Sequence, residues 1–217
     1  IHCGLVGSEM CIRDRDRLDA AIDAMDGRAL DQWGVAIKLY PSCSYTHRLA
    51  DCAVALSKRC EAGDIDEIHA ELPDFHYAIL RHDRPDTEIQ ARFSLPFVMA
   101  VCLVHGRLTG KHLADPRAAG EDIWKLIERT KIRQVAPRRP DMNFDPEQPD
   151  RLRVRLISGE VIEESCAFPE GSPNLPVSRA TILAKYAENA APLRVHPDLQ
   201  SWAGSPDLAA FIESVTK

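Results

Sequence analysis

Residues 94–106 constrain the fold more than any other stretch, because they spell a helix with no polar side. Ser94 can cap its start, Pro96 fits the first turn where a missing N–H costs no hydrogen bond, and Gly106 can close it. The body, 97–104, reads Phe-Val-Met-Ala-Val-Cys-Leu-Val. A helix that is apolar all round must be buried, in a membrane or in the middle of a domain. The run is far too short to span a bilayer and contains a proline, so no membrane partner is expected and the helix belongs at the centre of a core. At 217 residues and 45% hydrophobic content the chain is long enough to surround it.

The segments around this helix fall into two periodicities. Leu49, Cys52, Ala53, Leu56 and Cys60 recur at helical spacing, which predicts a helix that starts between Ser42 and Thr46 and ends near Gly63. Thr87 and Gln90 form a capping-box pattern, and Ile123, Leu126 and Ile127 share a face of a helix opened by Asp115-Pro116. Ser178 caps a helix over 179–190, and further helices are expected over 16–25 and 206–215. Residues 151–157 alternate at period two, turn at Ser158-Gly159-Glu160 and continue over 161–167, which is a hairpin signal. Strands are also expected over 65–72, with Ile68 and Ala70 on one face, over 131–135, over 75–80 after a break at Pro73-Asp74, and over 35–39 up to Pro41. The expected class is α+β, a small antiparallel or mixed sheet packed against helices. Residues 137–149, with four prolines, read as a solvated loop whose Arg138-Arg139 pair is a surface feature. Residues 1–15 fit neither period, and the run from Gly7 to Arg15 resembles translated adapter sequence, so this lead is expected to be non-native.

Charge and cysteine usage narrow the partners. With 27 basic and 33 acidic residues the net charge is −6, against a broad nucleic-acid surface. Seven cysteines form an odd set without a C-x-x-C pair, which suits buried small hydrophobes in a reducing, cytoplasmic setting. The candidate site is Lys38-Leu39-Tyr40-Pro41-Ser42-Cys43-Ser44-Tyr45-Thr46-His47. A strand that ends at Pro41 and a helix that begins just after it would place Lys38, Ser42, Cys43, Ser44 and His47 around a helix N-terminus, whose unpaired N–H groups and positive dipole attract an anion. A small carboxylate suits it, although a Pro turn and a Ser-capped helix are also ordinary architecture. Cys43 and His47 lack a second ligand pair, so no metal or other cofactor is expected. A cysteine-nucleophile enzyme built on the same two residues would lack an orienting third group.

The string Lys38-x-Tyr40-Pro41-x-Cys43-x-Tyr45-Thr46-His47, followed by an amphipathic helix containing Asp51, resembles the start of the second domain of the MmgE/PrpD family. That family includes 2-methylcitrate dehydratases, cis-aconitate decarboxylases and related lyases and isomerases. Three more of its features follow in order: Pro85-x-Thr87-x-x-x-Ala91-x-Phe93-Ser94-Leu95-Pro96-Phe97, a hairpin with Gly159 at its turn, and Gly171-x-Pro173-x-x-Pro176-Val177-Ser178. The resemblance covers about residues 30–190. It implies that 16–34 end an all-helical domain, that 35–168 form the second α+β domain, and that 169–217 return to the helical domain and form a tail. The chain is then expected to be a fragment, inactive by itself, of a homodimeric parent.

The resemblance also implies a chemistry. Family enzymes remove or shift a proton next to a carboxylate of a small polycarboxylate without a metal, after which water or carbon dioxide is lost or the centre is epimerised. Lys38 matches the active-site lysine. Tyr77, in Pro73-x-x-x-Tyr77, matches the context of an active-site tyrosine, though a half-buried packing tyrosine would read the same. Cys43 stands where cis-aconitate decarboxylases have a histidine, which argues against cis-aconitate as substrate and leaves Cys43 to transfer a proton or simply to pack. Ser42, Ser44 and His47 would bind substrate, with His47 alternatively pairing with Asp51 at i+4. The signature at 85–97 is expected to pack rather than to react. A reading from another class keeps the fold as a non-catalytic carboxylate-binding or dimerisation module.

Overall fold

The computed structural model describes residues 34–190. Four strands form one mixed sheet in the order β2-β1-β3-β4: β1 (Ile65–Pro73), β2 (Thr130–Val135), β3 (Asp150–Leu156) and β4 (Val161–Cys166). β1 runs antiparallel to β3, with Ala70 opposite Leu152, and β3 runs antiparallel to β4, with Val154 opposite Ile162. β1 and β2 are parallel, with Ile68 opposite Thr130. A parallel pair needs a long crossover, and the chain between them supplies α2 (Asp74–Tyr77), α3 (Glu88–Arg92), α4 (Leu95–His105), α5 (Gly110–Ala114) and α6 (Glu121–Glu128). α1 (His47–Leu56) precedes the sheet and α7 (Arg179–Ala190) follows it. None of these helices is long and apolar enough to cross a membrane.

The sheet has one wet and one dry face. Ile68, Ala70, Leu72, Leu152, Val154 and Ile162 are buried, and the alternating positions carry a ladder of charges. On that ladder Glu67 meets Lys131, His69 and Arg155, Glu71 meets Arg133, and Glu163 meets Arg153. α1 packs on the dry side of β3 and β4, α6 reaches β1, and α4 lies against both helices. Leu95, Phe97, Met99 and Val101 of α4 have no exposed surface, so each contributes about 1.5–3 kcal/mol of burial free energy. Ser94 accepts from the Phe97 amide and Gly106 adopts φ 66°, closing α4 as its sequence predicts. Cys52 and Cys102 are buried, and all five described cysteines are free.

Several expectations are corrected. Residues 34–38 are not a strand: no neighbouring strand accepts them, Val35 is 65% exposed, and their tie to the fold is the Ile37 amide donating to the Gly171 carbonyl at 2.7 Å. Strand propensity without a partner makes no ladder. Residues 75–80 form the short helix α2 and a turn, because the buried side chains there are His76 and Leu80, four apart. α1 stops at Leu56, where the Ser57 hydroxyl turns back onto Val54, so Cys60 lies beyond the helix. Pro116 opens only a 3-10 turn, and α6 begins after Gly120. α5 was not foreseen, since its capping box uses His112 where Glu or Gln is usual. The helices expected over 16–25 and 206–215, and the assignment of the first 15 residues, lie outside the described residues.

The solvated-loop reading of 137–149 is half right. Arg138 and Arg139 pair with Glu147 and Asp141 at the surface. Arg48 of α1, only 1% exposed, reaches into the other end of the loop. Its guanidinium bonds Asp150 Oδ1 at 3.1 Å and the carbonyls of Asp145 and Gln148, and it lies over the Phe144 ring at 4.8 Å. Burial pushes the Asp150 carboxyl up, against the pull of Arg48.

Candidate active site

Two bonds staple the Leu39–Cys43 bend to the end of α3. The Cys43 amide donates to the Arg92 carbonyl at 2.8 Å, and Arg92 Nη1 donates back to the Pro41 carbonyl at 2.8 Å. A 3-10 turn, Ser44–Thr46, then leads into α1. Thr46 gives its hydroxyl proton to the Cys43 carbonyl at 2.8 Å, so the Ser42 hydroxyl, 2.8 Å away, must donate to Thr46. Lys38 Nζ donates to the Ser42 carbonyl at 3.2 Å and is otherwise exposed.

These residues line an open pocket of about 420 Å³. Lys38, Ser42 and Cys43 form one wall, Arg92 and Phe93 another, and Lys185 enters from α7. The sequence-based expectation was an anion held by free amides. The amides of Cys43, Thr46 and His47 are spent on the carbonyls of Arg92, Cys43 and Ser44. Three cations line the pocket beside them. A guanidinium and two ammonium groups suit carboxylates, the first by its planar fork and the others as point charges.

The remaining predicted residues are placed differently. Ser44 opens the 3-10 turn, offers its carbonyl to the His47 amide and does not line the pocket. His47 is 3% exposed beneath the bend, edge-on to the Tyr40 ring at 5.2 Å, and its Nε2 has no partner. Burial drives it down to about 4, opposed by the carbonyl of Ser42 and assisted by the charge of Lys38, so it is a neutral imidazole at neutral pH. It does not pair with Asp51, whose carboxylate accepts from Tyr40 Oη at 2.6 Å and from the Glu170 amide at 2.8 Å. Tyr77 lies in α2, gives its hydroxyl to Asp83 at 2.7 Å and does not line the pocket. Burial, with Asp83 beside it, raises its pKa.

Two cations of the pocket lie outside the predicted set. Arg92 sits inside the 85–97 signature, in which Ala91 and Ser94 have no exposed surface while Thr87 and Phe93 are exposed. Only the register of α3, which aims Arg92 at Pro41, separates it from them. Lys185 carries no signal in the sequence, being one charge on a half-exposed helix.

The family model of the MmgE/PrpD C-terminal domain matches residues 40–200. A curated relative, the cis-aconitate decarboxylase of Mus musculus, is 25% identical over 180 residues, which cover 79% of this chain and 36% of that protein. The chain therefore matches just over a third of that relative's length.

Proposed function

This chain belongs to the MmgE/PrpD family, and from that premise we propose that it forms the second-domain wall of a lyase or isomerase site that abstracts an α-proton from a small polycarboxylate, in the manner of a 2-methylcitrate dehydratase. The observation that carries the reading is the convergence of Lys38, Arg92, Lys185 and Cys43 on one pocket. Loss of an α-proton puts negative charge on the adjacent carboxylate, and cations already in position stabilise that charge without rearranging. In a dehydration the base takes the α-proton, the electron pair forms the double bond, and hydroxide leaves the neighbouring carbon with a proton from an acid. Lys38, Arg92 and Lys185 hold the carboxylates, and the Cys43 thiol is the proton carrier within the pocket. Ser42 shapes the bend, and His47 supports Tyr40 from beneath rather than touching substrate. Tyr77 has no substrate contact in this reading.

Because the chain spans 36% of its relative, the 217 residues alone are expected to bind a polycarboxylate without turning it over. The test is hydrogen exchange in deuterated water by the full-length protein on a panel of polycarboxylates, with Lys38→Ala alongside. Exchange that falls about 100-fold or more in the variant supports the reading, that being the loss expected when one oxyanion-stabilising group is removed. A second reading, a non-catalytic carboxylate-binding module, is favoured by the inward turn of Ser42 and His47. Tight binding with no exchange of any panel member would select it.

A further inference from the structure

A second cleft, of about 400 Å³, adjoins the first and shares Tyr40, Pro41, Arg92 and Lys185 with it. Its other walls are the segment from Arg107 to Gly110, which links α4 to α5, and the face of α7 bearing Thr181, Glu188 and Asn189. Neither Lys38 nor Cys43 reaches it. Three cations from three elements, Arg92, Arg107 and Lys185, line the cleft with one carboxylate, Glu188, and Arg92 is also paired with Glu88. Arg107 and Lys185 have no hydrogen-bond or ion-pair partner among the described residues. Arg92 gives one nitrogen to Pro41 and one to Glu88, which leaves part of its five-donor fork unused.

Cations gathered in a concave site repel one another, and on a surface with a net charge of −6 nothing general requires them there. The arginines of the outer sheet face, by contrast with Arg107, are each matched to an acid. The segment carrying Arg107 is held in place, with Leu108 and Thr109 buried and the Thr109 amide bonded to His112 Nδ1 at 3.2 Å.

We infer that this cleft is a second anion subsite, adjoining the Lys38–Cys43 pocket and sharing Arg92 and Lys185 with it, which takes the phosphate or carboxylate group of a small molecule beside Arg107. The subsite is independent of whether the first pocket is catalytic.

The experiment titrates the full 217-residue chain with inorganic phosphate and, separately, with malonate, in the wild type, Arg107→Gln and Lys38→Gln. Arg107 lines only the second cleft and Lys38 only the first. The expected result is a loss of affinity of about tenfold or more, some 1.4 kcal/mol, in Arg107→Gln, larger than any loss in Lys38→Gln, which removes a cation of the first pocket. If phosphate shows this pattern the subsite takes phosphate, and if malonate alone shows it the subsite takes a carboxylate. Wild-type affinity in Arg107→Gln, or no binding of either anion at millimolar concentration, overturns the inference. Affinity lost only in Lys38→Gln also overturns it, and leaves the first pocket standing as the carboxylate site. Urea unfolding of both variants confirms that a lost affinity is not a lost fold.

Discussion

Arg48 and Lys185 are two cations used in opposite ways. Arg48 is sealed beneath the 137–149 loop and bonded to a carboxylate and two carbonyls. Lys185 stands in an open pocket beside Arg92 and Lys38 with no partner among the described residues. The energetics of desolvation explain the difference. A buried charge must be matched inside the protein, because the several kcal/mol lost on leaving water is recovered only through a close partner. A solvated charge can remain unmatched, and so is available to a ligand. In this molecule the buried cation holds the scaffold and the exposed ones define the candidate site.

The sharpest way to break that contrast is Arg48→Met. It leaves the Asp150 carboxyl buried without its partner and is expected to cost about 3–5 kcal/mol in urea unfolding. Arg48→Met combined with Asp150→Leu should cost less than the single change, since no unpaired buried charge remains. A double variant worse than the single one would show that the pair stabilises the fold in its own right.

A slightly smaller effect is expected from pH. His47 titrates at about 4 in the fold against an ordinary 6.5, so the unfolded chain binds more protons between those values. Its contribution is therefore fully present above pH 6.5 and lost as pH falls to about 4. The loss is on the order of 3 kcal/mol, at 1.36 kcal/mol per unit. His76, also fully buried and driven down to about 4, adds to the same window. A His47→Gln variant should show a flatter stability profile between pH 6.5 and 4, and an unchanged slope would contradict the neutral, buried assignment.

Next comes Gly171→Ala. Gly171 has φ 90°, and a Cβ there would stand 2.0 Å from the Ile37 carbonyl oxygen. The change should cost roughly 1–3 kcal/mol and loosen the segment that carries Lys38, seen as weaker carboxylate binding. On the outer sheet face, Glu163→Gln should shift stability by less than about 1 kcal/mol, because its arginine partners stay in water. Smallest in stability is Lys185→Gln, whose unfolding midpoint should match the wild type while its polycarboxylate affinity falls about tenfold. A destabilised Lys185→Gln would mean that this lysine belongs with Arg48 after all.

The parts of the fold that were readable beforehand are those decided within a few residues. Thr87 does accept from the Gln90 amide at 3.3 Å, although the Gln90 side-chain oxygen accepts from the Asp86 amide rather than from that of Thr87. The β3–β4 hairpin follows from alternation and Gly159 at φ 89°. The misread segments were those where two periods compete over a short span. Phe75, Tyr77 and Ile79 alternate as a strand would, yet His76 and Leu80 are the residues that the core accepts. In the candidate site, Lys38 and Cys43 were legible through motif resemblance. Their cationic neighbours were not, because Arg92 comes from 54 positions away from Lys38 and Lys185 from the far end of the described chain.

What the sequence determined by itself is the set of elements whose stability is local or non-specific: an α4 too apolar to lie anywhere but inside, the caps at Thr87, Ser94 and Ser178, and the alternating hairpin. What only the tertiary structure decided is which charges meet. Asp150 reaches Arg48 across 102 positions, and Lys38, Arg92 and Lys185 gather around one bend. The physical reason is that a cap or an apolar face is recognised by neighbours a turn away, whereas a lysine or arginine in sequence looks the same whether it ends in water, in a salt bridge or in a binding pocket. Packing α1 on the sheet, with α4 and α6 behind it, chooses among those three.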